Sequence, residues 1–119
     1  MAKILVVDDD AVNRELFRWA LQDQHEIDEL TSGVGAADAI RTGVYDLVLL
    51  DVMMPIIGGE EVVTDLAATQ AELLNRVLVV TAAMNQPLVD RMTEQGVAGV
   101  KQRPYDPEEI AELVKTYVA

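Results

Sequence analysis

Asp46-Leu47-Val48-Leu49-Leu50-Asp51-Val52-Met53-Met54-Pro55 runs from one acid through four aliphatic residues into a second acid, then into a proline. An apolar run this short, without helical periodicity, reads as a buried strand. Pro55 and the pair Gly58-Gly59 beyond it shape a loop. The strand therefore delivers Asp51 to the rim of a sheet rather than to its middle. Two other runs behave alike: Ile4-Leu5-Val6-Val7 stops at Asp8-Asp9-Asp10, and Val77-Leu78-Val79-Val80 stops at Thr81. If the three strands are parallel, their polar exits gather at the carboxyl edge of the sheet, where ligands bind in open α/β folds.

At 119 residues the chain has the size of one domain, and half its residues are hydrophobic, as in a globular protein. Nine Lys and Arg against 21 Asp and Glu give a net charge of -12, which repels nucleic acid and anionic membrane. Direct nucleic-acid binding is therefore not expected. There is no Cys, hence no disulfide framework, thiolate metal site or cysteine nucleophile. Met1 leads straight into a strand without the apolar core of a signal peptide, and no apolar run approaches the roughly 20 residues of a membrane span. The expectation is a soluble, cytoplasmic domain.

After the first strand, Asp10 can cap a helix over Ala11 to Gln22, with Val12, Leu16, Trp19 and Ala20 on one stripe. Trp19 and Phe17 read as core or shoulder packing. His25 falls in a polar turn and reads as a solvated loop histidine. Glu26 to Leu30 is a weak, polar strand, and Ala36 to Arg41 a helix ended by Gly43. Val62, Val63 and Leu66 mark the inner side of a third helix. Arg76 to Val80 is the fourth strand. Pro87 opens a helix lined by Leu88, Val89 and Met92 and closed by Gly96. Ala98 to Gln102 is a thin fifth strand. Asp106-Pro107-Glu108-Glu109 starts a last helix with Ile110, Leu113, Val114, Tyr117 and Val118 on one face.

Five strands alternating with five helices predict a doubly wound α/β domain with a parallel sheet. Strands buried on both faces should be continuous apolar runs. Strands one, three and four qualify; the polar second and the thin fifth belong at the edges. Strand order 2-1-3-4-5, the flavodoxin-like order, satisfies this.

Asp8, Asp9 and Asp51 at one rim repel one another unless a cation sits among them, and Mg2+ is the oxygen-seeking ion that takes a few carboxylates plus water. Asp10 reads instead as the helix cap. A hydroxyl at Thr81 and a cation at Arg103 beside such a site suit a phosphoryl group, and a carboxylate can be the nucleophile that forms an aspartyl-phosphate.

The whole chain resembles the receiver domain of two-component response regulators. The matching stretches are Ile4–Asp9, Asp46–Pro55, Val79–Ala82 and Gly96–Pro107, the last containing Arg103-Pro104-Tyr105-Asp106-Pro107. The resemblance implies that Asp51 accepts phosphate from a histidine kinase or phosphotransfer protein. It further implies that Asp8, Asp9, Asp51 and the Met53 backbone carbonyl hold Mg2+, and that Thr81 contacts the attached phosphoryl group. Such a domain turns over no free substrate. The expectation is one receiver domain over residues 1–119 with no output domain, signalling to a downstream protein by contact as a monomer or weak dimer.

Two positions depart from the family pattern. Arg103 stands where Lys is usual, and Lys101 is two residues too early to replace it. Val100 stands where many members carry the aromatic that responds to movement of the Thr, and Tyr105 matches a different position. Met53 and Ala83, two residues beyond Asp51 and Thr81, are apolar and cannot hydrogen-bond an attacking water, so self-dephosphorylation should be slow. Two other readings compete. One is a phosphorylation-independent pseudo-receiver, to which Arg103 and Val100 point. The other is a small haloacid-dehalogenase-type phosphatase, suggested by Asp8-Asp9-Asp10-Ala11-Val12 but leaving Asp51 without a role.

Overall fold

The computed structural model describes residues 2–82, 84–102 and 106–118. In chain order these form β1 (Lys3–Val7), α1 (Ala11–Leu21), β2 (Glu26–Leu30), α2 (Ala36–Arg41), β3 (Leu47–Leu50), α3 (Gly59–Thr69), a 3-10 helix (Ala71–Arg76), β4 (Val77–Thr81), α4 (Gln86–Gln95), β5 (Gly99–Gln102) and α5 (Pro107–Val118). The strands make one parallel sheet in the order β2-β1-β3-β4-β5. β1, β3 and β4 fill its centre, and β2 and β5 are its edges, as their composition predicts.

Side-chain alternation divides each central strand between two cores. Leu5, Val7, Val48, Leu50, Val77 and Val79 face α2, α3 and α4. Ile4, Val6, Leu47, Leu49, Leu78 and Val80 face α1 and α5. A run that is apolar at every position is thus explained by two covered faces. α5 contributes Ile110 and Val114, both fully buried, from the stripe read in its sequence. Among the described residues, no helix is long and apolar enough to cross a membrane.

The helix ends follow local chemistry. Asp10 Oδ1 accepts from the Val12 N–H at 2.8 Å and caps α1. Asn85 Oδ1 accepts from the Leu88 N–H at 2.9 Å and caps α4, whose first turn holds Pro87. Gly96 ends α4 with φ +107°, a conformation that favours glycine. At the start of α5, Asp106 Oδ1 accepts from the Glu109 N–H (2.8 Å) while Glu109 Oε1 accepts from the Asp106 N–H (3.4 Å), a reciprocal capping box.

Two expectations are corrected. Val12 and Trp19 do not share the inner stripe of α1: Trp19 is 71% exposed and Val12 equally so. The buried side is Phe17 and Leu21, flanked by Leu16 and Ala20. Trp19 lies about 200° around the helix from both Phe17 and Leu21, so once those two face the sheet the indole must face out. His25 is half-buried, not solvated, and its Nδ1 accepts the Ala2 backbone N–H at 3.0 Å. Partial burial holds its pKa below the ordinary histidine value. The 3-10 helix, absent from the sequence reading, buries Leu73 and Leu74 under α3.

Candidate functional site

The site grows from the register of the three central strands. Val7 pairs with Leu50, and Leu50 with Val79, so the strands end side by side. The next residues, Asp8 and Asp51, are fastened to neighbouring strands: the Asp51 N–H donates to the Val7 carbonyl at 2.9 Å, and the Asp8 N–H to the Leu30 carbonyl at 3.0 Å. Asp8 is 2% and Asp51 7% exposed, while Asp9 reaches solvent. One carboxylate oxygen from each of the three lies within 4.8 Å of the others.

Three acids so close, two of them withdrawn from water, make a pocket of concentrated negative charge that attracts a cation. All the donors are hard oxygen atoms, and the exposed Asp9 leaves an opening to water. This donor set fits Mg2+, which keeps part of its hydration shell, and offers nothing to a soft metal.

The loop after β3 is folded tightly around Asp51. The Met53 N–H donates to Asp51 Oδ1 (3.3 Å), the Ile57 N–H to the Pro55 carbonyl (2.8 Å), and the Gly59 N–H to the Val52 carbonyl (3.0 Å). From the neighbouring loop, the Gly33 N–H donates to the Ile57 carbonyl at 3.0 Å. Both glycines are set by close approach: a Cβ on Gly59 would lie 2.3 Å from the Asp51 carbonyl oxygen, and one on Gly33 2.2 Å from the Ile57 carbonyl oxygen. Between them Ile56 adopts φ +68°, the left-handed region that a β-branched residue rarely enters, and its side chain is 83% exposed.

Thr81 ends β4, the strand next to β3, and is fully buried at the same edge. Met53 starts the loop with its side chain outward. The structure thus gathers the carboxylates of Asp8, Asp9 and Asp51 and places Thr81 on the adjoining strand end. Arg103, Ala83 and Tyr105 lie outside the described residues. Val100 pairs with Val79 on β5 and packs on the α2/α3/α4 side. Lys101 pairs with Val80, and by alternation belongs to the opposite face.

The sequence reading assigned Gly58-Gly59 only to a loop, although Gly59 is the first residue of α3. It passed over Gly33, Ile56 and Arg14. Arg14 Nη1 donates to the Asp8 carbonyl at 2.7 Å. Its one sequence signal is a cation early in the helix after three acids, which does not point to a particular acceptor.

The profile of the response regulator receiver domain matches residues 4–115. Over 116 residues the chain is 28% identical to the chemotaxis protein CheY of Halobacterium salinarum, covering 96% of this chain and 95% of that one. It is 35% identical over 117 residues to the transcriptional regulatory protein ResD of Bacillus subtilis (95% of this chain, 46% of ResD). To the response regulator UvrY of Escherichia coli it is 29% identical over 119 residues (98% and 54%), so it spans about half the length of that relative. The structure of CheY4 from Vibrio cholerae superimposes with a TM-score of 0.86 at 25% identity, covering 98% of both chains. The Francisella response regulator 1452 receiver domain, at 20% identity and a TM-score of 0.85, shares the fold. The chain is a member of the response regulator receiver domain family of two-component signalling.

Proposed function

We propose that this receiver is a phosphoacceptor switch. Asp51 accepts a phosphoryl group from a phosphohistidine on a histidine kinase or phosphotransfer protein. Asp8, Asp9, Asp51 and the Met53 backbone carbonyl hold Mg2+. The observation that carries the reading is the convergence of the Asp8, Asp9 and Asp51 carboxylates within 4.8 Å at the carboxyl edge of the sheet.

In the transfer, a carboxylate oxygen of Asp51 attacks phosphorus in line with the P–N bond. The bond breaks, its electron pair returns to the imidazole, and an acyl phosphate remains on Asp51. When bound, Mg2+ neutralises charge on the phosphoryl oxygens and on the acids around them. Thr81 would supply a hydroxyl to one phosphoryl oxygen, and Arg103, in place of the usual Lys, a fixed cation. Because Met53 and Ala83 offer no side-chain polar group to an incoming water, the acyl phosphate should hydrolyse slowly. Signalling then passes by contact to a downstream protein in the cytoplasm, without turnover of a free substrate.

The pseudo-receiver reading is favoured by Arg103 in place of the usual Lys and by Val100, which carries no aromatic ring on β5. Incubation with Mg2+ and phosphoramidate, read by intact mass with Asp51→Asn as control, separates the two. Gain of one phosphoryl group by the unmodified chain alone supports the switch. No gain together with no Mg2+ binding would make it a binding module. No gain despite Mg2+ binding would point to Arg103 or to the need for a cognate donor.

A further inference from the structure

We propose that Arg14 is a positioning residue of the metal site. It holds the Asp8–Asp9 peptide so that both carboxylates face the cation shared with Asp51. This rests on the Mg2+ reading above.

The peptide linking Asp8 to Asp9 is a rigid plane, so holding its carbonyl constrains the backbone torsions on either side of it, from which both acidic side chains project. It lies just where the strand ladder gives out, since the β1–β2 pairing ends at Val7 and Leu30. Arg14 Nη1 donates to that carbonyl at 2.7 Å, a charge-assisted hydrogen bond. The Arg14 side chain is only 16% exposed, and its Nε lies 3.4 Å from Glu29 Oε1 on β2. Glu29 is held in turn by Arg18 Nη1 at 2.6 Å. One guanidinium therefore ties the acidic turn to the edge strand through two different nitrogens, which a single ammonium cannot do in the same geometry.

The remainder of the turn is fixed from inside. The Asp10 N–H donates to Asp8 Oδ1 at 2.9 Å, and Asp10 caps α1. These bonds orient Asp8 and Asp10. The clamp on the intervening plane comes from Arg14. Groups that orient metal ligands from behind commonly change affinity by about 10- to 100-fold when removed.

The test is calorimetric titration of Mg2+ into the full chain and its Arg14→Ala, Arg14→Lys and Arg18→Ala variants, each with its thermal melt. Arg18 shares Glu29 but does not touch the turn. Arg14→Ala should weaken Mg2+ binding by about tenfold, Arg14→Lys should recover part of the loss, and Arg18→Ala should bind as the unmodified chain does. Should the alanine variant not fold, Arg14→Gln, too short to reach the carbonyl, takes its place with the same expected loss. Unchanged affinity without Arg14, or an equal loss in Arg18→Ala, overturns the positioning role. Failure of the unmodified chain to bind Mg2+ overturns the metal reading itself, and this inference with it.

Discussion

Gly59 opens α3 against the carbonyl of Asp51, so closely that a Cβ would lie 2.3 Å from the oxygen and 2.9 Å from the Val52 Cα. Both obstacles are backbone, and neither can swing aside. Gly59→Ala must push α3 away from the end of β3 and reorient the Asp51 main chain. Such overpacking costs about 1–3 kcal/mol. Urea denaturation should show that loss, and phosphoramidate labelling of Asp51 should slow more than stability alone explains. Normal stability and labelling would mean that α3 is not fixed there.

Ile56 should show the opposite sign. A β-branched residue at φ +68° is strained, and its side chain packs on little. Asparagine tolerates the left-handed region without the chain entropy of glycine. Ile56→Asn should therefore raise stability by about 1 kcal/mol. A drop on thermal melting would mean that the exposed side chain contributes more than the backbone costs.

Removing one acid from the rim should also stabilise the metal-free chain. Asp8→Asn keeps an oxygen for the Asp10 N–H while deleting one of three crowded charges. The melting temperature without Mg2+ should rise, by an amount corresponding to about 1 kcal/mol. The rise that Mg2+ gives the unmodified chain should largely vanish. A variant that melts lower without Mg2+ would show that the acids are not in conflict.

Tyr45 donates its hydroxyl to Asp28 Oδ2 at 2.7 Å, and burial, with this bond, pushes its pKa up to about 12. The unfolded phenol titrates near 10. Folding favours the neutral phenol, so this contribution is complete below pH 10 and is lost as pH rises from about 10 to 12. Tyr45→Phe should be less stable than the unmodified chain at pH 8, and the gap should close by pH 12 in chemical denaturation. A gap independent of pH would assign the effect to packing.

His25 gives a second pH window. Its neutral form accepts the Ala2 N–H, and its pKa lies below the usual value. Folding therefore favours the deprotonated ring. The contribution is present above pH 6.5 and declines as pH falls through the lower folded value. In His25→Gln, the part of the stability loss that appears between pH 7 and pH 5 should be smaller; an identical profile would remove His25 from the account.

The sheet was legible because its central strands are apolar at every position, which only burial on both faces explains. The polar Glu26–Leu30 and the short Gly99–Gln102 then had only the edges left. Asp8, Asp9 and Asp51 were legible because each follows such a run. Trp19 misled because a large apolar side chain was given to the core before the α1 face was set by Phe17 and Leu21. Gly33, Gly59 and Arg14 escaped because their partners are carbonyl groups, of Ile57, Asp51 and Asp8, and carbonyls leave no trace in residue identity. The 3-10 helix escaped because its buried pair, Leu73-Leu74, is too short to show a period.

The polarity of β2 reaches beyond this one molecule. An edge strand offers unpaired main-chain groups to any other chain, yet this one carries Glu26 and Asp28 within five residues, besides the Glu29 that Arg14 and Arg18 hold. Two copies meeting edge to edge would set like charges opposite one another, which opposes pairing. The strand closes the sheet on that side and guards it against growth into an aggregate.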